Sequence, residues 1–596
     1  MSTTPHGTLR YELFLGLMAL TLVALLGRLA WILYTGADKA NRTAWRQRRM
    51  VITVPGRPGN IFARAWNRYV LLAGSKQAPY CYADPAMIPD DKLQEVANRA
   101  ASALEMSPSQ ALGLLLARRD TSYVVLRREL SERQVKAVRD LDLRAVQVDY
   151  EWQRAYPAGE LAATVLGYRR RDGEAGAGLE LGLDRCLAAA DGQRVLLADA
   201  LRRPIWPVSE ESRPPRDGMH VFLSIDSVIQ GFLEDAVAQS VERFGAKWGT
   251  GIIVNPQTGQ ILAMCATPPF NPNAYGQYSQ DCVTNKALAA PYEPGSAIKP
   301  VFAAAAVQAG VMNYQTTIFC ENGMYHASRG GVISDHGSKY GTLSLCDVVV
   351  FSSNIGMAKV GEALGNDALY SAARQFGFGT PTGIDLPGET GGIVRPRAKW
   401  DGYSTRRVPF GQEISVSSLQ LTMAFASMAN GGLLLRPSVV DCIKDSAGNT
   451  IWRHKRQVVR RVLSPEVADQ TLQVLREVVL RGTGKGCRMQ QWSSFGKTGT
   501  AEIAVDGAYV DGAFVGSFVG GAPVRQPQVL CLISIYWPDK SKGHYGATVA
   551  APYVKQVLER TLAYLDVPPD LPDERVLLAG TAAPGDGRLA AARRQD

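Results

Sequence analysis

The longest apolar run lies at the start of the chain. Residues 13–27 carry no charged side chain, Arg28 interrupts, and Leu29-Ala-Trp-Ile-Leu-Tyr34 resumes the run. A stretch of about 22 residues is long enough to cross a bilayer core of roughly 30 Å. Arg28 sits near one end, where a long side chain can snorkel to the headgroups, and Trp31 and Tyr34 suit the interfacial belt. The length, and the lack of a clean small-residue cleavage site afterwards, favour an uncleaved anchor over 13–34 rather than a signal peptide.

Beyond the anchor the pattern is mixed to about residue 212. Residues 91–104 and 108–117 read as helices and 123–126 as a short strand. Ser131-Glu-Arg-Gln134 is a capping box that opens a helix to about residue 141. Nothing in this region looks catalytic. Pro204, Pro207, Pro214 and Pro215 mark a domain boundary. From Asp217 the texture changes. Asp226 caps a helix with apolar positions Val228, Phe232, Ala236 and Val237, followed by strands over 251–254 and 260–264 around the tight turn Asn255-Pro-Gln-Thr-Gly259. Residues 512–522 and 528–537 read as a second strand pair. Residues 549–565 form an amphipathic helix with Tyr553, Val554, Val557, Leu558, Thr561, Leu562 and Leu565 on one face. Strand pairs with helices at both ends predict an antiparallel sheet covered by helices, an α+β domain. The tail 568–596 is rich in Pro, Ala, Gly and Arg and reads as disordered.

Composition changes the picture little. At roughly 100–200 residues per domain, 596 residues suggest two to four domains, and 46% apolar with 20% charged residues is ordinary for a globular chain. A net charge of +10 favours polyanions without choosing among them. No zinc-finger spacing, aromatic RNA-binding motif or long Lys/Arg block is present, which argues against nucleic acid. The nine cysteines include no C-x-x-C, and the six histidines no H-E-x-x-H, so neither a structural zinc site nor a catalytic metal is expected. Several cysteines lie in apolar runs and read as buried, inert thiols.

Three short motifs carry candidate chemistry. In Glu293-Pro-Gly-Ser-Ala-Ile-Lys299, Pro-Gly precedes an Ala-rich run and marks a helix start. Ser296 then stands at a helix N-terminus, where partial positive charge stabilises a developing alkoxide, and Lys299 lies on the same face. Such a lysine serves as base only if neutral. Against an ordinary pKa of about 10.4 that costs roughly 4–5 kcal/mol, to be supplied by burial or a second cation. Alone the pattern is common; Ser494-Phe-Gly-Lys497 is a second instance. In Ser352-Ser353-Asn354, a hydroxyl and an amide two residues apart can share a cleft, although a helix cap accounts for the same residues. In Lys497-Thr498-Gly499-Thr500, Gly499 lets a substrate backbone lie close, while the lysine and hydroxyls offer a carboxylate site. An exposed turn is the plain alternative. A phosphate loop is excluded, because Gln491 stands where its first glycine belongs.

In this order the three resemble the S-x-x-K, S-D-N and K-T-G triplet of class A β-lactamases and penicillin-binding proteins. The intervals between Ser296, Ser352 and Lys497 are similar to those of class B penicillin-binding proteins. The likeness extends to Gly251–Asn271, to Gly377-Phe-Gly-Thr with Asp385-Leu-Pro-Gly-Glu389, and to Phe410-Gly-Gln412 with Asn430-Gly-Gly432. Earlier in the chain, Tyr156-Pro, Leu166-Gly-Tyr168 and Gly178-Leu-Glu180 resemble the class B pedestal. Arg57-Pro-Gly-Asn-Ile61 with Arg64 resembles the segment just outside the membrane, with Ala63 where the family usually has Asp.

The resemblance implies a cytoplasmic tail (1–12), the anchor (13–34), a mixed α/β non-catalytic pedestal (35–212) and a transpeptidase domain (213–567) before the tail. It implies attack by Ser296 on the penultimate D-Ala carbonyl of a stem peptide, with Lys299 as base and Ser352 and Asn354 as proton relay. Lys497 would supply positive potential, and Thr498, Gly499 and Thr500 would bind the terminal carboxylate. The N–H groups of Ser296 and Thr500 would form an oxyanion hole. No cofactor or metal is implied. β-Lactams would acylate Ser296, and a polytopic glycan polymerase with other division proteins would be partners. Lys39, Arg42, Arg46, Arg48 and Arg49 follow the span, and taken alone would hold the large domain in the cytoplasm. Long domains translocate regardless of flanking charge, and the active-site motifs place this one outside, in the periplasm.

Among rivals, a hydrolytic β-lactamase needs neither anchor nor pedestal, and no Glu-x-Glu-Leu-Asn is present. A bifunctional synthase would need a glycosyltransferase domain that the first 212 residues are too short to hold. A D,D-carboxypeptidase and a non-enzymatic β-lactam sensor or scaffold share the motifs. Ser-Ser-Asn-Ile-Gly, Gly-Ile-Asp-Leu-Pro-Gly-Glu and the compact chain resemble the division-specific enzyme more than the elongation-specific one.

Overall fold

The computed structural model describes residues 5–199, 204–327, 331–337, 339–505 and 507–572. Most of the tail expected to be disordered lies outside the described residues. Within its first part, Asp570 accepts hydrogen bonds from Ser493. The chain forms two compact units.

The first unit joins Met1–Arg57 to Ala189–Asp217. It contains a 44-residue helix, Pro5–Arg48. Its portion Leu9–Gly36, with mean hydropathy 2.1 and no burial, is long and apolar enough to cross a membrane. Strand Arg49–Val54 pairs antiparallel with Gly192–Ala198, which pairs in turn with Pro204–Pro207. The first prolines of the expected linker thus form the outer strand of a three-stranded sheet, a position where a missing N–H is tolerated.

The second unit holds Pro58–Ala188 and Gly218–Asp596. A seven-stranded mixed sheet draws strands from both sides of residue 212. Its order is Thr450–Arg453, Val440–Lys444, His220–Asp226, Ile61–Ala65, Arg68–Ala83 and Val124–Arg127, with Val146–Ala155 also on Arg68–Ala83. The small helices beside it start as their sequences dictate. Ser107 and Ser131 each form both bonds of a capping box, opening Pro108–Ala117 and Glu132–Asp140.

The second sheet is antiparallel, in the order Ile261–Thr267, Trp248–Val254, Val529–Tyr536, Ala508–Ala522, Phe495–Val505. Alternate residues feed separate cores on its two faces. Ile253, Cys531 and Ile533 pack with helices Ser227–Phe244 and Ala551–Tyr564. Ile252, Leu530 and Leu532 pack with Lys299–Gln308, Asn354–Gln375, Ser418–Ala429 and Pro465–Leu480. The architecture is α+β with helices on both faces, as expected.

One helix face is rotated from the expected one. Asp226 does cap Ser227–Phe244, accepting from the N–H groups of Val228 and Ile229. The buried stripe, however, is Ile229, Leu233, Ala236 and Val237, with Val228 and Phe232 only partly covered. Gly249 and Gly251 set this register. A Cβ at either would press on Leu233 or Val237, so the bare strand admits the helix close on that side.

Candidate active site

Ser296 lies in a tight turn, Gly295–Ile298, that runs directly into helix Lys299–Gln308. Two glycines allow the turn. Gly295 has φ +51°, and a Cβ on it would fall on the Thr500 carbonyl. Gly411 has φ +91° and lies against the Gly295 backbone, whose N–H donates to Gly411 O at 3.3 Å. Phe410-Gly-Gln412 therefore braces the Ser296 turn. Tyr292, just upstream, exchanges two backbone hydrogen bonds with Val416. Ser296 is half-buried, and its hydroxyl bonds to no described residue.

Lys299 opens the helix with its side chain fully buried. Its Nζ donates to Ser352 O at 2.5 Å, Asn354 Oδ1 at 2.7 Å and Ser352 Oγ at 3.2 Å. Lys497, also fully buried, donates to the same Ser352 Oγ at 3.1 Å and to Thr498 O at 3.1 Å. Ser352 Oγ thus lies between two ammonium nitrogens. Neither lysine pairs with a carboxylate among the described residues. Burial and the charge of Lys497 drive the Lys299 pKa well below its ordinary value, partly opposed by Asp335. Burial pushes Lys497 down to about 7.

The Ser-Ser-Asn box divides its labour. Ser353 is the helix cap, accepting from Gly356 N–H at 2.9 Å at the start of Asn354–Gln375. That leaves Ser352 and Asn354 for the cleft. Ser352 holds φ +64°, an unusual conformation for a residue with a side chain. Sequence reasoning missed Asp335, at the end of the hairpin strand Gly331–Ser334, which accepts from Ser353 Oγ and from the N–H groups of Asn354 and Ile355. No pattern in the sequence flags it, since the contact spans a separate segment.

Lys497-Thr-Gly-Thr500 is not an exposed turn. It belongs to Phe495–Val505, the edge strand of the antiparallel sheet, and Lys497 and Thr498 are buried. A Cβ on Gly499 would strike Ser517 Oγ and Pro294 O, so this glycine lets the strand and the Ser296 turn approach. Thr498 Oγ1 lies 2.8 Å from Thr483 Oγ1, and Thr500 Oγ1 accepts from Gly546 N–H at 3.1 Å. Lys299, Ser352, Asn354 and Lys497 are thus joined by hydrogen bonds, and the turn that carries Ser296 packs against Gly499 and Thr500. The serine of the second S-x-x-K instance does not join them: Ser494 is buried and donates to Cys487 O at 2.9 Å.

The other motif residues tie the frame together. Asp385 accepts from Ser438 Oγ and from the N–H groups of Val439 and Val440. Glu389 accepts from Thr382 and Gly383. Glu180, fully buried, accepts from Arg154 at 2.6 Å, Arg169 at 3.2 Å and the Tyr156 hydroxyl at 3.2 Å. All nine cysteines are free thiols.

The penicillin binding protein transpeptidase domain profile matches residues 249–559, and the penicillin-binding protein dimerisation domain profile matches residues 53–223. The chain is 31% identical to the probable peptidoglycan D,D-transpeptidase PbpC of Pseudomonas aeruginosa, over 79% of this chain and 81% of that one. It is 27% identical to the peptidoglycan D,D-transpeptidase FtsI of Escherichia coli, over 94% and 92%. The crystal structure of penicillin binding protein 3 from Mycobacterium tuberculosis, complexed with aztreonam, superposes with TM-score 0.67 at 25% identity, covering 88% of this chain and 99% of that one.

Proposed function

The chain belongs to the penicillin-binding transpeptidase family, as a class B penicillin-binding protein, and from that premise we propose that it cross-links peptidoglycan stem peptides through an acyl-enzyme on Ser296. It is a serine-type, β-lactam-sensitive D,D-transpeptidase. The observation that carries the site assignment is the position of Ser352 Oγ, 3.2 Å from Lys299 Nζ and 3.1 Å from Lys497 Nζ, beside the Ser296 turn.

That arrangement supports the following roles. Lys299, which burial and a second cation hold toward neutrality, takes the Ser296 proton as the hydroxyl attacks the penultimate D-Ala carbonyl. The N–H groups of Ser296 and Thr500 receive the oxyanion, worth roughly 3–4 kcal/mol per donor. Ser352, hydrogen-bonded to both lysines and flanked by Asn354, passes the proton to the departing D-alanine. Lys497, Thr498 and Thr500 hold the terminal carboxylate, and Gly499 keeps the edge strand close enough to do so. An amine from a second stem peptide then takes the acyl group.

One helix, Leu9–Gly36, is long and apolar enough to cross a membrane, which supports a single-pass anchor, and the peptidoglycan substrate supports a catalytic domain on the outer side. We assign residues 35–212 to the pedestal, 213–567 to the catalytic domain, and the remainder to the tail. Septal synthesis during division is supported by Ser-Ser-Asn-Ile-Gly and Gly-Ile-Asp-Leu-Pro-Gly-Glu, and implies a polytopic glycan polymerase as partner.

The test is an assay with a D-alanyl-D-alanine-terminated stem-peptide donor and an amine acceptor. A cross-linked dimer with release of D-alanine, absent in Ser296→Ala, is the expected result. Trimmed donor without dimer would instead identify a carboxypeptidase, and activity surviving in Ser296→Ala would overturn the nucleophile assignment. For the septal role, depletion should give filaments that grow without dividing; rounding of cells would favour elongation.

A further inference from the structure

The second motif of this chain reads Ser-Ser-Asn, whereas the triplet it resembles carries a carboxylate there, as Ser-Asp-Asn. A carboxylate is nonetheless present. Asp335 enters from the neighbouring hairpin, and its Oδ1 accepts from Asn354 N–H at 2.6 Å and Ile355 N–H at 3.1 Å. Those are the first free amides of the helix that starts at Asn354 and is interrupted at Gly365, where negative charge is favoured. Its Oδ2 accepts the Ser353 hydroxyl proton at 2.9 Å. With that proton committed, Ser353 Oγ turns its lone pair to Gly356 N–H. The preceding residue of the hairpin completes the clamp: Ser334 O accepts from Asn354 Nδ2 at 3.1 Å. The side-chain amide is thereby oriented with Oδ1, rather than Nδ2, toward Lys299 Nζ at 2.7 Å.

We propose that Asp335 is a positioning residue for the reaction, supplying from the hairpin the carboxylate that fixes Ser353, Asn354 and hence Ser352 against the two lysines. The proposal rests on the reading of Ser296 as the nucleophile. Asp335 touches no reacting atom and acts through the start of the helix. The charged groups around it are Lys299 beyond Asn354, Lys497 beyond Ser352, and the Lys359–Glu321 pair, closed at 2.5 Å, on the side of Cys320. Without the carboxylate, two helix amides and the Ser353 hydroxyl lose their acceptor, directly beside Ser352, whose backbone holds φ +64°.

The test is a double-variant cycle on the full-length protein, reading the acylation rate constant and the dissociation constant for a chromogenic cephalosporin. Asp335→Ala should lower the acylation rate constant by about 10- to 100-fold, the loss of charge-assisted bonds, with the dissociation constant within about threefold. Ser353→Asp alone should also slow acylation, because two carboxylates then face each other. Combined, Asp335→Ala with Ser353→Asp should recover most of the lost rate, since the carboxylate returns at the cap itself. A role limited to holding the fold would lower melting temperature and active fraction but would not produce this rescue. Asp335→Asn, with and without Ser353→Asp, gives the same comparison should the alanine variant not fold. Wild-type acylation by Asp335→Ala, or no gain in the double variant, would overturn the proposal. A wild-type protein that is not acylated at all would instead sink the Ser296 reading beneath it.

Discussion

In the region before residue 189, Glu180 is fully buried and its carboxylate is saturated by Arg154, Arg169 and Tyr156. At the candidate active site, Lys299 and Lys497 are buried as deeply and meet only hydroxyls, carbonyls and an amide. Both places remove charge from water. In the first, opposite charges and hydrogen bonds offset the desolvation. In the second no carboxylate pairs with either lysine among the described residues, the hydrogen bonds and Asp335 offset only part of the cost, and the rest appears as depressed lysine pKa values. Paired burial builds a frame; unpaired burial lowers a lysine's pKa and leaves it readier to act as a base.

The sharpest way to break this comparison is to remove one charge from each side. Lys299→Met deletes the base from the active site and should lower acylation by about 10³-fold, at the scale of general-base catalysis. Its melting temperature should change little, because the desolvated amine is gone while Ser352 O and Asn354 Oδ1 lose their donor. Acylation within tenfold of wild type would refute the base assignment. Glu180→Ala should do the opposite. Two guanidinium groups are left buried with a partner missing, so stability should fall by about 3–5 kcal/mol, read from denaturant unfolding, while acylation per folded molecule stays near wild type.

A third contrast is pH. Lys497 titrates at about 7 in the folded protein and near 10.5 when exposed. Between those values the unfolded chain binds more protons, so stability should rise with pH across that window and be lowest, from this group, below about pH 7. Function should run the other way. A charged Lys497 is needed to hold an anionic substrate, so acylation by a carboxylate-bearing β-lactam should decline above about pH 7. In Lys497→Arg, which keeps its charge, that decline should disappear. A flat profile in the wild type would show that Lys497 does not titrate in this range.

The smallest effects concern glycines. Gly499→Ala drives a methyl into Ser517 Oγ and Pro294 O and should slow acylation by forcing the edge strand off the nucleophile turn. Gly113, on the exposed side of Pro108–Ala117, has open space around it, and Gly113→Ala should stabilise by about 0.5–1 kcal/mol with no effect on acylation. A rate change in the second variant, or none in the first, would blur the distinction between site and frame.

What could be read from the sequence was local. The capping boxes at Ser107 and Ser131, the Asp226 cap and the amphipathic face of Ala551–Tyr564 depend on residues within a turn of each other. The three candidate motifs were legible because each is short and their order is distinctive. Features set by distant segments were not legible. Strand Ile61–Ala65 lies parallel to His220–Asp226 in one sheet, although a boundary was expected between them. Phe495–Val505 looks like a turn because of its Lys-Thr-Gly-Thr composition, yet it is a strand held by ten register pairs to Ala508–Ala522. Asp335 carries no local signal; only the folded hairpin brings it to the Ser353 cap. The face of Ser227–Phe244 was misjudged because two glycines on another strand decide which side approaches.

The most direct test of the central claim is to locate the covalent adduct. Protein treated with a β-lactam, digested and analysed by mass spectrometry should carry one acyl group on the peptide containing Ser296, and Lys299→Met should carry it only after far longer exposure. An adduct on any other residue, or equal labelling of wild type and Lys299→Met, would contradict the assignment of Ser296 as a nucleophile activated by an unpaired buried lysine.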